Sequence, residues 1–314
     1  MSEKLRMGID FGGTNTRAGI VDDDGDILAY NEWGSDVDSG PEKSIEHLID
    51  SIEAMLEEHG ELSPRIEALG VAIAGWIDPS RGFIYFSPNM NGFSDVPLGE
   101  VLSNHFACEV FVDNDTTVAT WGEYLFGLVP QPDSLFGIFL GTGVGGGLVL
   151  NGKPWRGPFG SAGEIGHTVI EPDGPDCKCG AKGCLEVYAG AEGITKIYEG
   201  LLCQSGGCVP PGIDLSPEFV YEVGKAGDPT ALATFARVGR YLGIAMANVV
   251  DLLSIDACVV GGKVSMAAEL FWKPMIKAFR KDILDPPNGA CIIHHSRLID
   301  RSGILGAAFL KESF

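Results

Sequence analysis

Apolar residues fall at helical spacing in "SIEHLIDSIEAMLEEH" (44–59), where Ile45, Leu48, Ile49, Ile52, Met55 and Leu56 share one face and Gly60 marks the stop. Continuous apolar runs alternate with such segments. "IEALGVAIA" (66–74) predicts a buried strand, and "PLGEVLSNHFA" (97–107) predicts a helix opened by Pro97. "EVFVDND" reads as a strand that ends in a polar cluster, and "TTVATWGEYLF" begins a helix expected at a domain junction. In the second half, "FARVGRYLGIAMANVVDLLS" (235–254) is the strongest helix, followed by a strand in "DACVVGG" (256–262). A helix in "AELFWKPMIKAFRKDI", a strand in "ACIIHH" and a last helix in "GILGAAFLKES" complete the order. Alternation of this kind predicts α/β layers with helices on both faces of the sheets.

Two stretches look like copies. "GTNTRAGIV" (13–21) lies over "GTGVGGGLV" (141–149), and each follows an apolar run, "LRMGIDF" or "SLFGIFL". Each therefore reads as a tight hairpin entered from a strand, which adds antiparallel strands and makes the sheets mixed. Duplication predicts two similar α/β domains facing each other across a cleft. The expected division is a smaller domain of residues 1–117 plus 302–314 and a larger one of residues 118–301.

Composition narrows the classes. Apolar residues make up 45% of 314, enough for a full core, and no stretch approaches the ~18 apolar residues of a membrane span. Acidic residues outnumber Lys plus Arg by 43 to 22, for a net charge of −21. Such a surface repels phosphate backbones and anionic lipid, so neither nucleic acid nor a membrane is the expected partner. "MSEKLRMGIDFGG" lacks the apolar core of a secretion signal. Of eight cysteines, three cluster and five are scattered, as in a reducing cytoplasm.

Three motifs carry candidate chemistry. In "DFGGTNTRAG", Gly12 and Gly13 let the backbone approach a ligand, and Thr14 and Thr16 offer hydroxyls and amides. Asp10, at the strand end, is placed to hold water around Mg2+. With "LGTGVGGG" as its partner, two turns can converge on one polyphosphate. In "VDNDTT" two readings stand: Asp115 or Thr116 as a helix N-cap, or Asp115 as a general base with Asn114 on a substrate hydroxyl. In "GEIGHTVIEPDGPDCKCGAKGCLE", His167, Cys177, Cys179 and Cys184 make a tetrahedral zinc set. Four protein ligands leave no open position, so the ion is expected to be structural and to fix Glu164 and Glu186 as acceptors for hydroxyl groups.

Together "DFGGTNTRAG", "SPNMNGF", "VDNDTT", "GTGVGGG", "GEIGH", "CKCGAKGCLE" and "VVGG" resemble, in order and along most of the chain, the ROK family of repressors, open reading frames and kinases. The resemblance implies an actin-like, ribonuclease-H-like fold, use of ATP with Mg2+, and phosphoryl transfer to a sugar hydroxyl, most often the 6-hydroxyl of a hexose. It implies Asp115 as the base, and Asn89, Asn114, Glu164, His167 and Glu186 as the grip on the sugar. Gly12, Gly13, Thr14, Asn15, Thr16, Gly141, Thr142 and Gly143 match the phosphate turns, and Gly261 and Gly262 match the turn under adenosine. Glucose is the default acceptor, with N-acetylmannosamine, N-acetylglucosamine, fructose and mannose as alternatives, and a homodimer is implied. Regulator members carry a helix-turn-helix domain ahead of the sugar-binding part; here "MGIDFGGTNT" begins at residue 7, so that class is not expected.

The sequence also departs from the family pattern. "AGW" (74–76) stands where many members have Pro-Gly, and "NMNGF" (89–93) replaces Asn-Leu-Pro-Gly-Trp in the loop over the sugar. Lys263 takes the place of a third glycine and is expected to point into solvent. The segment 202–218 reads as a surface insertion without a role.

Overall fold

The computed structural model describes residues 4–210 and 212–314. Its chain separates into two compact units. The first is Met1–Asp133, Gly147–Ala162 and Arg297–Phe314, and the second is Ser134–Gly146 and Gly163–Ser296. Relative to a division at residues 117 and 301, residues 118–133, 147–162 and 297–301 also fall in the first unit.

The first unit is built on strands β1 (Leu5–Phe11), β2 (Asn15–Val21), β3 (Ile27–Gly34), β4 (Ile66–Ile73) and β8 (Glu109–Asn114), in the order β3-β2-β1-β4-β8. β1 runs antiparallel to β2 and parallel to β4, so the sheet is mixed. A small antiparallel sheet of β5 (Trp76–Asp78), β6 (Phe83–Phe86) and β7 (Ser94–Val96) interrupts the path from β4 to β8. Helices α1 (Pro41–Glu58), α2 (Leu98–Phe106) and α3 (Asp115–Gly122) belong to the same unit, as does α9 (Ser302–Ala308). α1 begins with Pro41 in its first turn and buries Ile45, Leu48, Ile52 and Met55 against Leu5, Met7, Ile9 and Val71 of one core. On the other face, Gly8 and Gly70 leave room for α9: a Cβ on either would overlap the carbonyl oxygen of Ile304 or Ala307. That close approach fixes why two strand centres carry glycine.

The second sheet repeats the first in plan. Strands β9 (Leu135–Leu140), β10 (Val144–Leu150), β11 (Lys153–Pro154), β12 (Ala257–Gly261) and β13 (Ile292–His295) follow the order β11-β10-β9-β12-β13. In each sheet a hairpin opens the fold and parallel strands extend it from the first strand. The duplication read from "GTNTRAGIV" and "GTGVGGGLV" is thus a duplication of topology. Helices α4 (Glu186–Ala189), α5 (Ala191–Gln204), α6 (Pro217–Lys225), α7 (Pro229–Leu253) and α8 (Ala268–Asp282) complete the second unit.

α7 starts six residues earlier than the expected residue 235, because Pro229 occupies its first turn and Asp228 Oδ1 accepts the Ala231 N–H at 2.7 Å. Gly239 and Gly243 let α8 press onto α7 at Phe271 and Met275. The stretch read as one last helix, 303–313, is α9 followed by a 3-10 turn at Leu310–Ser313. The segment 202–218 holds the end of α5 and the start of α6, and Pro211 within it lies outside the described residues. Among the described residues, no helix is long and apolar enough to cross a membrane.

Candidate active site

Strand ends and turns gather the expected residues of the first unit. β1 delivers Asp10, and Gly12, Gly13 and Thr14 make the hairpin turn, closed by the Gly12 N–H donating to the Asn15 carbonyl at 3.2 Å. Gly13 lies against the loop after β6, where a Cβ would sit 2.8 Å from the Asn89 carbonyl oxygen. Asn89 and the first turn are therefore neighbours by necessity of glycine. Thr14 is exposed, and Asn15 donates through Nδ2 to Glu32 at 3.0 Å. Thr16 departs from the expectation: it is fully buried and its hydroxyl pairs with Ser35 at 2.8 Å, so its side chain serves the sheet interior and not the open face of the turn.

β8 ends in the polar cluster. The N-cap of α3 is Asn114, and not Asp115 or Thr116: its Oδ1 accepts from the backbone N–H groups of Thr116 and Thr117, both at 3.1 Å, and from the Thr116 hydroxyl at 2.8 Å. Asn114 Nδ2 donates to the Gly75 carbonyl at 3.2 Å. Asn114 is thereby rigid, with one amide N–H left over for a ligand. Asp115 is the first helical residue, and its Oδ1 accepts the Thr116 N–H at 2.8 Å. A helix N-terminus suits a carboxylate, so the chain can hold Asp115 in place as a charged group.

Asp10 and Asp115 are close enough to repel. The Asp10 carboxyl is pushed up to about 6, first by burial and then by the Asp115 charge, with Arg17 opposing from 3.8 Å. No local motif marks Arg17, yet the hairpin register places it directly opposite Asp10. It also faces Glu32 at 3.3 Å. Two acids and a short phosphate-type turn form an arrangement that gains from a divalent cation, which would relieve the repulsion.

This carries a pH prediction for the nucleotide-free protein. The carboxyl's unfolded value is 3.8 and its folded value about 6, so the folded state binds the proton more tightly. The associated stability is present in full below about 3.8 and is lost as pH rises through about 6. Asp10→Asn, which cannot ionise, is therefore expected to gain on the native protein by up to about 3 kcal/mol more at pH 8 than at pH 4. Urea unfolding at both pH values checks this; an equal effect at the two would refute the burial argument.

Arg156 ties the loop after β11 to the same strand end, donating from Nε to Asp113 at 2.6 Å and from Nη1 to the Ser313 carbonyl at 3.2 Å. Its guanidinium lies 4.6 Å from the Phe314 ring centroid. Burial raises the Asp113 carboxyl and Arg156 opposes that shift. Nothing in the linear pattern marks Arg156, because its partners are 43 and 157 residues away.

In the second unit, the Gly141 N–H donates to the Gly143 carbonyl at 2.9 Å, and Thr142 is exposed at the tip of the turn. The Ala191 N–H reaches the Gly141 carbonyl at 3.1 Å, seating the start of α5 against the turn. Glu186, expected on the sugar, also takes part here: its Oε2 accepts the Val144 N–H at 3.1 Å, and Gly143 leaves the space its carboxylate occupies. Gly262, with φ at +82°, fits against the Leu140 backbone, and Lys263 is 84% exposed with Glu218 at 3.8 Å.

The cysteine stretch folds as a knuckle. The Cys177 N–H donates to the Ala181 carbonyl at 2.8 Å, Gly180 turns at φ +94°, and Gly183 at φ +64° lies against the Glu171 carbonyl. The ligand atoms of His167, Cys177, Cys179 and Cys184 all lie within 4.8 Å of one another. Cys177 Sγ is 3.7 Å from His167 Nδ1, and Cys179 Sγ is 3.6 Å from Cys184 Sγ. Tetrahedral bonds of about 2.3 Å require edges of about 3.8 Å, so the donors fit zinc in spacing and chemistry. Nδ1 faces the thiols, which leaves Nε2 for another partner. The thiols respond to their surroundings in opposite directions. Cys179 falls to about 7 through the Ala181 backbone and Cys177, while burial and neighbouring sulfurs push Cys184 up to about 12. Glu164, three residues before His167, is exposed.

The family model described as "ROK family" matches residues 6–313. A glucokinase of Thermotoga maritima is 33% identical, with 98% of each chain covered. An N-acetylmannosamine kinase of Escherichia fergusonii is 30% identical, again with 98% of each covered. Among solved structures, a ROK family glucokinase from Streptomyces griseus in complex with glucose and AMPPNP is 32% identical, covers 98% of both chains and superposes with a TM-score of 0.81.

Proposed function

Since this chain belongs to the ROK family and has its actin-like α/β fold, we propose that it is an ATP-dependent hexose kinase that phosphorylates the 6-hydroxyl of glucose. The observation that carries this reading is the pairing of Asp115 with Asp10 beside the first glycine turn, in a chain similar along its whole length to glucokinases. Asp115 acts as the general base. Its position in the first turn of α3 is fixed by Asn114 and the Thr116 N–H, so the carboxylate needs no rearrangement to accept a proton.

Asn89 and the remaining N–H of Asn114 bind sugar hydroxyls, as do Glu164, Nε2 of His167 and the free oxygen of Glu186. The two turns, Gly12–Thr14 with Asn15 and Gly141–Gly143, present backbone N–H groups to the polyphosphate, and Gly261 and Gly262 make the floor under adenosine. Thr16 supports the first turn from below. Mg2+, brought by the nucleotide and held through water by Asp10, would neutralise phosphate charge. Zinc in the His167, Cys177, Cys179, Cys184 set is structural. Phosphoryl transfer through a loose transition state depends on alignment and charge neutralisation, so a rigid base and rigid turns suffice. The enzyme works in the cytoplasm, where ATP is present and its thiols stay reduced.

N-acetylmannosamine is the second reading, supported by the kinase for that sugar at 30% identity over the same length. A coupled ADP-release assay across glucose, mannose, fructose, N-acetylglucosamine and N-acetylmannosamine separates the two. Glucose is expected to give the highest kcat/KM, at least about tenfold above the others, a margin one mismatched polar contact supplies. No turnover with any sugar would end the kinase proposal.

A further inference from the structure

The outer face of the small sheet β5-β6-β7 is aromatic where polar residues are usual. The Trp76 and Tyr85 rings lie 4.8 Å apart, Phe83 meets Tyr85 edge-on at 5.2 Å, and the Arg81 guanidinium covers Phe83 at 4.9 Å. Ile77 and Ile84 of the same strands point into the core. Trp76 is 49% exposed, and Phe159 beside it is 76% exposed. Large apolar rings left open together mark a surface made to be covered.

Two anchors hold this surface next to the proposed base. The carbonyl of Gly75, one residue before Trp76, accepts from Asn114 Nδ2, and Asn114 immediately precedes Asp115. The Trp76 indole N–H donates to the Phe159 carbonyl at 2.7 Å. That carbonyl sits in the loop 156–162, whose base is held by Arg156 at Asp113. Gly160, at φ +69°, lets the loop lie on β5, since a Cβ there would come 2.7 Å from the Ile77 carbonyl oxygen. The indole donor is spent inside the protein, so Trp76 offers outward only its π-face.

A hydroxyl-binding site bordered by such a face recognises C–H groups. A pyranose ring has one face on which its C–H groups gather, and aromatic rings bind that face by dispersion and by the negative potential above the ring. The geometry points to Trp76, backed by Tyr85, as a stacking subsite for the C–H face of the acceptor sugar that helps set which sugar is accepted. It rests on the sugar-kinase reading above.

Steady-state kinetics of the full chain with glucose and ATP test it, comparing native protein with Trp76→Ala and Trp76→Phe. Trp76→Ala is expected to raise the glucose KM about tenfold, with kcat and the ATP KM within about twofold of native. Trp76→Phe keeps a ring face without the N–H and is expected to stay within about threefold of native. An active enzyme whose glucose KM is the same in Trp76→Ala refutes the subsite and leaves the kinase reading standing. Native protein that phosphorylates no sugar refutes both. A sedimentation change in Trp76→Ala without any KM change would make the patch a contact between copies of the chain, and also overturn the proposal.

Discussion

Asp115→Asn is expected to lower kcat about a thousandfold while leaving the KM for sugar and for ATP within a few-fold of native. The substitution is nearly isosteric. Asparagine keeps an Oδ1 to accept the Thr116 N–H, so α3 should start as before, and the Asn114 cap is untouched. What disappears is the capacity to take a proton from the attacking hydroxyl. Asp10 is not expected to substitute, since it lies on β1 and is engaged by Arg17 at 3.8 Å. Zinc content and melting temperature of the variant report whether the fold survived. Unaltered turnover in a folded Asp115→Asn protein would remove the base assignment, and with it the central step of the mechanism.

The other large effect is expected at the cysteine knuckle. Native protein should carry about one zinc per chain, and Cys184→Ala should lose it and melt about 10 °C or more lower. Cys184 is fully buried, and its neighbours Gly183 and Leu185 make the backbone bonds that close the loop onto Ile170 and Thr168. Without the ion, three thiols and an imidazole within 4.8 Å of one another have nothing to hold them together. Glu186 follows two residues later and bonds the Val144 N–H, so loosening the knuckle should reach the second glycine turn. The ATP KM is therefore expected to rise along with the fall in stability. Metal analysis beside calorimetry decides the matter: a zinc-free native protein that melts like Cys184→Ala would show the cluster to be unmetallated cysteines.

Local pattern specifies the elements whose buried face repeats at the period of the element. The helix at 44–59 and the strands at 66–74 and 256–262 lie within a few residues of their expected limits, because burial of one face at the period of the element is written in every turn. α5 and α6 flank the segment 202–218 and are not among the expected helices, although Ser216 accepts the Phe219 N–H at 3.2 Å and Pro217 opens α6, a local start signal carried by "SPEF". The small sheet β5-β6-β7 leaves no such signal in the sequence. Its strands are three or four residues long, too short for any periodicity to register.

Side-chain roles divide the same way. Residue type and spacing by themselves determined the two glycine turns, the four candidate metal ligands and Asp115 at a strand-to-helix junction, because turn backbone, thiolate chemistry and helix starts are local properties. Tertiary structure alone decided that Asn114 Nδ2 holds the Gly75 carbonyl, that Thr16 faces the sheet interior, that Glu186 bonds the second turn, and that the Trp76 N–H is taken by Phe159. Each of these depends on a partner brought near by strand pairing or loop packing, from as few as 19 to as many as 83 residues away. A hydrogen bond can be anticipated from sequence only where the chain has no freedom to place its partner elsewhere, and across such separations the fold supplies that constraint.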